Sequence, residues 1–244
     1  MTLVSCSFPL GAVLFDFDDT LAPQAPWLEG AFGAVALQGE LLFGVPAPVL
    51  LQALLAEARA GSARGGIIDR ALQAAGVTGP PSGIRGSGRP DGLASLLDAF
   101  HAYRAPVLEP YAGVRSALGH LRRSGVKIGI VTDGNPASQR AKLAASGLDR
   151  CSDVTVLSDE LGREHRKPDP APYLAALDRL GTTPARAAFV GDRPTTDLVG
   201  AAALGMVTVR VRTGEYARDE NVVLPDADVP DAVAAVGWLL GRCG

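Results

Sequence analysis

Four segments of the chain carry charged side chains that could do chemistry, three of them at the end of a short apolar run. In the first, Leu14-Phe15-Asp16-Phe17-Asp18-Asp19-Thr20-Leu21, an acidic cluster stands where a buried strand would end and its loop begin. Alternate residues of an extended backbone share a face, so Asp16 and Asp18 would project to the same side. In open α/β sheets ligands bind beyond the carboxyl ends of the strands, where such a pair could act as a nucleophile beside an acid. Taken alone, the same pair is compatible with a solvated acidic turn. The later segments are Ile128-Gly129-Ile130-Val131-Thr132-Asp133-Gly134, then Arg166-Lys167-Pro168-Asp169-Pro170, then Phe189-Val190-Gly191-Asp192-Arg193-Pro194-Thr195-Thr196-Asp197.

In this order the four segments resemble the motifs of the haloacid dehalogenase-like hydrolase superfamily, in the branch of small-molecule phosphatases with a helical cap after the first motif. The resemblance covers about residues 10–22 and 106–215. It is specific for the superfamily and silent on substrate. It implies that Asp16 attacks phosphorus to form an aspartyl-phosphate. It implies further that Asp18 protonates the leaving oxygen and then, as a base, activates the water that clears the intermediate.

Two carboxylates this close repel, and Mg²⁺, which takes oxygen ligands, would settle the conflict. The implied metal residues are Asp16, Asp18 through its backbone carbonyl, and Asp192, with Asp197 completing or orienting the shell. Thr132 would bind phosphate through its hydroxyl, with the amides of Asp133 and Gly134 as further donors, and Lys167 would neutralise the nucleophile and the transferring phosphoryl group. Outside that context, Asp192 and Asp197 read as a cap region and a first-turn acid of a helix at 195–204. Lys167 alone reads as a surface loop lysine, and Thr-Asp-Gly as a weak turn. The whole set is needed, because monoester hydrolysis can require rate enhancements up to ~10²¹ while one positioned acid or base supplies ~10²–10⁴.

The elements that must hold these residues follow from the apolar pattern. Runs at about 12–17, 126–132, 153–157, 187–191 and 206–211 alternate with helix-patterned segments from Tyr111 onward, the signature of a parallel sheet with crossover helices. One helix pattern ends at Arg122-Arg123-Ser124-Gly125. Others run from Pro136 to Ser146 and from Pro170 to Leu180, stopped by Gly147 and Gly181, with Asn135 as an N-cap. Residues 23–105 break the rhythm with helices near 27–43, 47–60, 66–75 and 92–104, interrupted by glycine- and proline-rich punctuation from Gly79 to Pro90. The expected architecture is therefore an α/β, Rossmann-like parallel sheet core (1–22 and 106–244) with a helical cap inserted after the first strand (23–105). An ordinary second helical layer is the alternative for the insertion.

Composition narrows the partners. The chain has 244 residues, 47% of them hydrophobic, and 23 basic against 26 acidic residues for a net charge of -3. That balance leaves no electrostatic footprint for nucleic acid or an anionic membrane and favours a small-molecule partner. Cys6, Cys151 and Cys243 form neither a disulfide framework nor a zinc motif, and the N-terminal apolar stretch is interrupted by Asp16, Asp18 and Asp19. These features predict a cytoplasmic protein. Lys127, Lys142 and Lys167 are the only lysines in a chain that otherwise uses arginine, so a lysine kept beside Pro168 is itself a signal. Arg85-Gly86-Ser87-Gly88 lacks the spacing of a serine nucleophile turn, no phosphate-binding GxxxxGK[ST] or strand-linked GxGxxG occurs, and His101, His120 and His165 are scattered.

The expectation is a Mg²⁺-dependent phosphatase acting on a small phosphorylated metabolite, a sugar phosphate or nucleoside monophosphate. Rivals are a phosphoglucomutase-like phosphotransferase sharing the four motifs and a catalytically silent binding or regulatory protein on the same fold. A dehalogenase is disfavoured, because that branch typically lacks the acid found here as Asp18. Oligomeric state is not readable from the chain.

Overall fold

All four residues of β1 (Ala12–Phe15) are fully buried, as expected of a central strand covered on both faces. β1 pairs in parallel with β2 (Lys127–Thr132) on one side and β4 (Ala187–Gly191) on the other. β3 (Val154–Leu157) lies beyond β2, and β5 (Val207–Val211) and β6 (Ala227–Val229) lie beyond β4. The resulting six-stranded parallel sheet has the order β3-β2-β1-β4-β5-β6. The chain winds outward from β1 to β3, returns to the other side of β1 and winds outward again. The reversal falls between β1 and β4, and sheets of this order bind ligands in the crevice at that switch point.

The computed structural model describes residues 10–77 and 92–242. It divides into two compact units, one of residues up to 24 and from 107 onward, the other of residues 25–106. The fold is the α/β, Rossmann-like one that the motif order implies.

In the second unit, α1 (Ala25–Phe43), α2 (Ala47–Arg59), α3 (Ile67–Ala74) and α4 (Gly92–Ala102) enclose an apolar core that includes Phe32, Val35, Leu50, Leu54, Ile68 and Leu96. The Trp27 and Phe100 rings meet edge-on with centroids 5.2 Å apart. The glycine- and proline-rich stretch from Gly79 to Pro90, with Arg85-Gly86-Ser87-Gly88 in it, lies outside the described residues, as do Cys6 and Cys243. Cys151 is a free, half-buried thiol.

In the sheet unit, α5 (Val114–Arg123), α6 (Pro136–Ser146), α7 (Ala171–Leu180), α8 (Val199–Ala203) and α9 (Ala232–Gly241) flank the strands. Asn135 caps α6: its side-chain oxygen accepts from the amides of Ala137 (3.0 Å) and Ser138 (3.2 Å), and Pro136 takes the first helical position. Gly147 closes the helix at φ 62°, a conformation that favours glycine.

Two details differ from the sequence-based picture. The helix expected over 195–204 opens with a π-helical turn, Pro194–Leu198, before continuing as α8. Such widened turns occur frequently at functional sites, and this one carries Asp197. Beyond Val211 the chain adds β6 and α9, for which the sequence reading assigned no element. Among the described residues no helix is long and apolar enough to cross a membrane.

Candidate active site

The site begins where β1 stops. The Asp16 amide donates to the Val190 carbonyl at 2.9 Å, prolonging the β1–β4 ladder by one residue and fixing the carboxylate at the sheet's carboxyl end. That carboxylate is buried, with the residue 5% exposed. Lys167 reaches it from the loop preceding α7. The Nζ atom lies 2.5 Å from Asp16 Oδ1 and 2.7 Å from Asp197 Oδ1, and donates to the Val131 carbonyl at 3.2 Å. The backbone of Lys167 is held as well, since its amide donates to the Asp133 carboxylate at 3.2 Å.

Asp192 follows β4 and accepts from the Thr20 hydroxyl at 3.2 Å. Asp197 Oδ2 accepts from the Arg193 amide at 3.1 Å, across the widened turn. The space that Asp197 fills exists because residue 191 is glycine: a Cβ there would overlap the Asp197 carboxylate. Asp16, Asp192 and Asp197 thereby bring one carboxylate oxygen each within 4.8 Å of one another, all three residues buried.

Three buried carboxylates surround one ammonium, and burial and mutual repulsion both act against their charged forms. Burial pushes the Asp16 carboxyl up to about 7, against the opposing pull of Lys167 and with Asp197 and Asp18 adding to the rise. Burial likewise raises Asp192 well above the ordinary carboxylate range, reinforced by Asp197 and Asp16. For Lys167 burial works against the charge, but Asp16, Asp197 and Asp133 outweigh it and hold the ammonium well above its usual value. The donor set is oxygen-only and carries excess negative charge in a space opened by a glycine, which fits a hard divalent cation such as Mg²⁺.

Asp18 faces elsewhere. Its carboxylate is not one of the buried trio but is gripped by Lys142 Nζ (2.9 Å to Oδ1, 2.8 Å to Oδ2) and Gln139 Nε2 (2.9 Å), both on α6. Any metal contact from Asp18 in this arrangement is left to its main chain, the atom named from the resemblance. Thr132 ends β2 with its hydroxyl accepting from Gln139 Nε2 at 3.1 Å, and the same amide nitrogen donates to the Asp133 carbonyl at 2.5 Å. Gly134 has φ 124°, a region that disfavours other residues, and a Cβ there would come 3.2 Å from Gln139 Nε2. Its amide adds to the donors that keep the Asp159 carboxyl below its usual range, a shift dominated by the Arg166 guanidinium.

Several supporting residues carried no recognisable sequence signal. Asp19 sits at φ 57° and ties the loop after β1 to the segment after β5: its carbonyl accepts from the Thr213 hydroxyl (2.5 Å) and its carboxylate from the amides of Gln24 (2.9 Å) and Glu215 (3.3 Å). Arg210 is fully buried in β5 and donates to the Tyr216 carbonyl (2.6 Å) and to Asn221 Oδ1 (3.0 Å), anchoring that same segment. Gln139 belongs to no motif. The rarity of lysine was the one signal that could have found Lys142: two of the chain's three lysines converge on this site. His165 lies at the rim of the Lys167 loop, with Nδ1 3.4 Å from Asp169.

The fold agrees with what comparison to known proteins finds. A family model for haloacid dehalogenase-like hydrolases matches residues 10–205. The glyceraldehyde 3-phosphate phosphatase of Methanopyrus kandleri is 35% identical over 225 residues, covering 90% of this chain and 91% of that protein. The phosphoglycolate phosphatase of Rhodospirillum rubrum is 33% identical over 237 residues, covering 94% and 90%. The crystal structure of a HAD phosphatase from Thermococcus onnurineus superposes with a TM-score of 0.65 at 24% identity, over 96% of this chain and 99% of that one, and so shares the fold. With matches across most of its length, the chain belongs to the haloacid dehalogenase-like hydrolase family.

Proposed function

We propose that the protein is a magnesium-dependent phosphatase that hydrolyses a small phosphorylated metabolite through an aspartyl-phosphate on Asp16. One observation carries the proposal: Asp16 directly follows the central strand at the switch point of the sheet with the Lys167 ammonium 2.5 Å away, in a cluster of buried carboxylates. Asp16 attacks phosphorus, the bond to the leaving oxygen breaks, and Asp18 delivers a proton to that oxygen. Water then attacks phosphorus, its proton passes to Asp18, and the bond from phosphorus to the Asp16 oxygen breaks, releasing inorganic phosphate and restoring both side chains. Lys167 stabilises charge on the transferring group, and Thr132, with the amides of Asp133 and Gly134, orients the phosphate.

Asp16, Asp192 and the Asp18 carbonyl are the residues that would hold Mg²⁺, with Asp197 beside them. Bound there, the ion supplies neutralisation of the carboxylates and polarisation of the phosphoryl oxygens. The relatives' names point to short phosphorylated aldehydes and acids, glyceraldehyde 3-phosphate and phosphoglycolate, as the first substrates to try. Residues 23–105 are assigned the role of a substrate-selecting cap, which their insertion between β1 and β2 supports. The test is phosphate release from a panel of phosphorylated sugars, nucleotides and short acids, with Mg²⁺ and then with excess chelator. Release that stops on chelation and returns with Mg²⁺ better than with Ca²⁺ is expected. Full activity in chelator would contradict the metal assignment, and no turnover on any substrate would favour a silent binding protein.

A further inference from the structure

We infer that Gln139 and Lys142 are positioning residues for proton transfer, fixing the orientation of the Asp18 carboxylate beside Thr132; the inference rests on the acid role proposed above for Asp18. The two side chains are three residues apart on α6 and so share one helical face. Both are almost completely buried, at 3% exposure each, and both are aimed at the same carboxylate. Lys142 Nζ spans the two Asp18 oxygens at 2.9 and 2.8 Å, and Gln139 Nε2 adds a third donor contact at 2.9 Å to Oδ2. Contacts to both oxygens fix the carboxylate plane, which a single partner would leave free to rotate.

The Gln139 amide also couples the acid to the phosphate-binding segment. Its nitrogen lies 2.9 Å from Asp18 Oδ2, 3.1 Å from Thr132 Oγ1 and 2.5 Å from the Asp133 carbonyl, so its two hydrogens are shared among three acceptors that dictate which way the amide points. Asp18 and Thr132 are thereby set relative to each other by one side chain on a helix that Asn135 caps directly after β2. A purely stabilising role explains this poorly, because replacing buried ion pairs by apolar groups of similar size is often neutral for stability. The arrangement instead matches what the two half-reactions require. The proton leaves Asp18 for the alkoxide as the phosphorus–oxygen bond breaks, and the carboxylate left behind must keep its orientation until the attacking water returns a proton to it.

Leaving-group dependence tests the inference. An aryl phosphate such as para-nitrophenyl phosphate expels a stable phenolate and needs little protonation, whereas an alkyl phosphate needs it fully. Asp18→Asn is expected to lower kcat/KM far more on the best alkyl phosphate of the panel than on the aryl one. Lys142→Met and Gln139→Leu should show the same selectivity, with Lys142→Met losing roughly 10²-fold on the alkyl substrate, the lower end of what one positioned acid supplies. Lys142→Arg should recover part of the loss, and Lys142→Met in an Asp18→Asn background should add nothing. Thermal melts establish that each variant is folded, and Gln139→Leu carries the test if Lys142→Met is not. Equal losses on both substrates, or losses that multiply with Asp18→Asn, would overturn the positioning role. Equal losses in Asp18→Asn itself would instead overturn the acid assignment beneath it.

Discussion

The sheet unit and the helical unit of residues 25–106 are built on opposite principles. Among the described residues, every buried polar or charged side chain belongs to the sheet unit, including Asp16, Lys142, Lys167, Asp192 and Asp197, while the buried side chains of the helical unit are apolar. Burying ions costs several kcal/mol each before pairing, so a fold selected for stability alone would avoid such a cluster. The core of the helical unit holds no such cluster: leucines, valines and aromatics fill the space between its four helices. The difference locates chemistry at one end of one sheet.

The contrast can be broken or sharpened by substitution. The largest effect is expected for Asp16→Asn, which keeps the shape of the side chain but removes the nucleophile: turnover should fall below detection in phosphate-release assays while the melting transition persists. Retained phosphatase activity would move the nucleophile elsewhere. In the helical unit, Leu54→Ala should act through packing, since Leu54 is fully buried in its core. A loss of about 2–5 kcal/mol in urea unfolding is expected, and a loss under 1 kcal/mol would show a core looser than the one described.

Lys167→Ala comes next. Deleting one preorganised electrostatic contact typically lowers kcat by about 10²–10³-fold, and steady-state kinetics should show at least the lower figure. Lys167→Arg should rescue incompletely, because a planar guanidinium cannot replace a compact ammonium between Asp16 and Asp197. Unaltered rates in both variants would leave Lys167 as an ordinary buried ion-pair partner.

The smallest effect belongs to the pair between the partly exposed Arg166 and Asp159, in contact at 2.6 Å through both guanidinium Nε and Nη2. Hydrogen bonding to Arg166 holds the Asp159 carboxyl below its usual range. A depressed carboxyl contributes stability that is present above its unfolded value and is lost as pH falls through the folded one. Arg166→Gln should therefore be less stable than the wild type near neutrality, by about 1 kcal/mol for a pair whose guanidinium is 37% exposed. The gap between the two melting curves should close as pH drops below about 4. A gap independent of pH would mean that Arg166 acts through packing and not through charge.

How much of this was legible in the sequence depended on whether a residue announces itself locally. Asp16, Thr132 and Asp192 each end or follow an apolar run that becomes a strand, and Lys167 stands out as a rare lysine before proline, so position and chemistry could be read together. The helices of 25–106 were visible from periodicity and punctuation. The grip on Asp18 was not, because Gln139 and Lys142 lie more than a hundred residues from it and meet it only when α6 is laid against the end of the sheet. Asp197 was visible as an acid, but its place in the carboxylate trio depends on the widened turn at Pro194–Leu198 and on the space left by Gly191, neither of which spacing encodes. The buried Arg210 was hidden for a related reason: an arginine in a strand reads as an edge or surface residue until the Tyr216 carbonyl and Asn221 are seen around its guanidinium.

The central claim is the covalent one, that Asp16 carries the phosphoryl group between the two half-reactions. It is tested most directly by reacting the Asp18→Asn variant with para-nitrophenyl phosphate and Mg²⁺, quenching in acid, and mapping phosphorylation by peptide mass spectrometry. A phosphoryl group on Asp16, formed within one turnover and absent from Asp16→Asn, is the expected result. Turnover of the substrate without any phosphorylated peptide, or with the group on another residue, would contradict it.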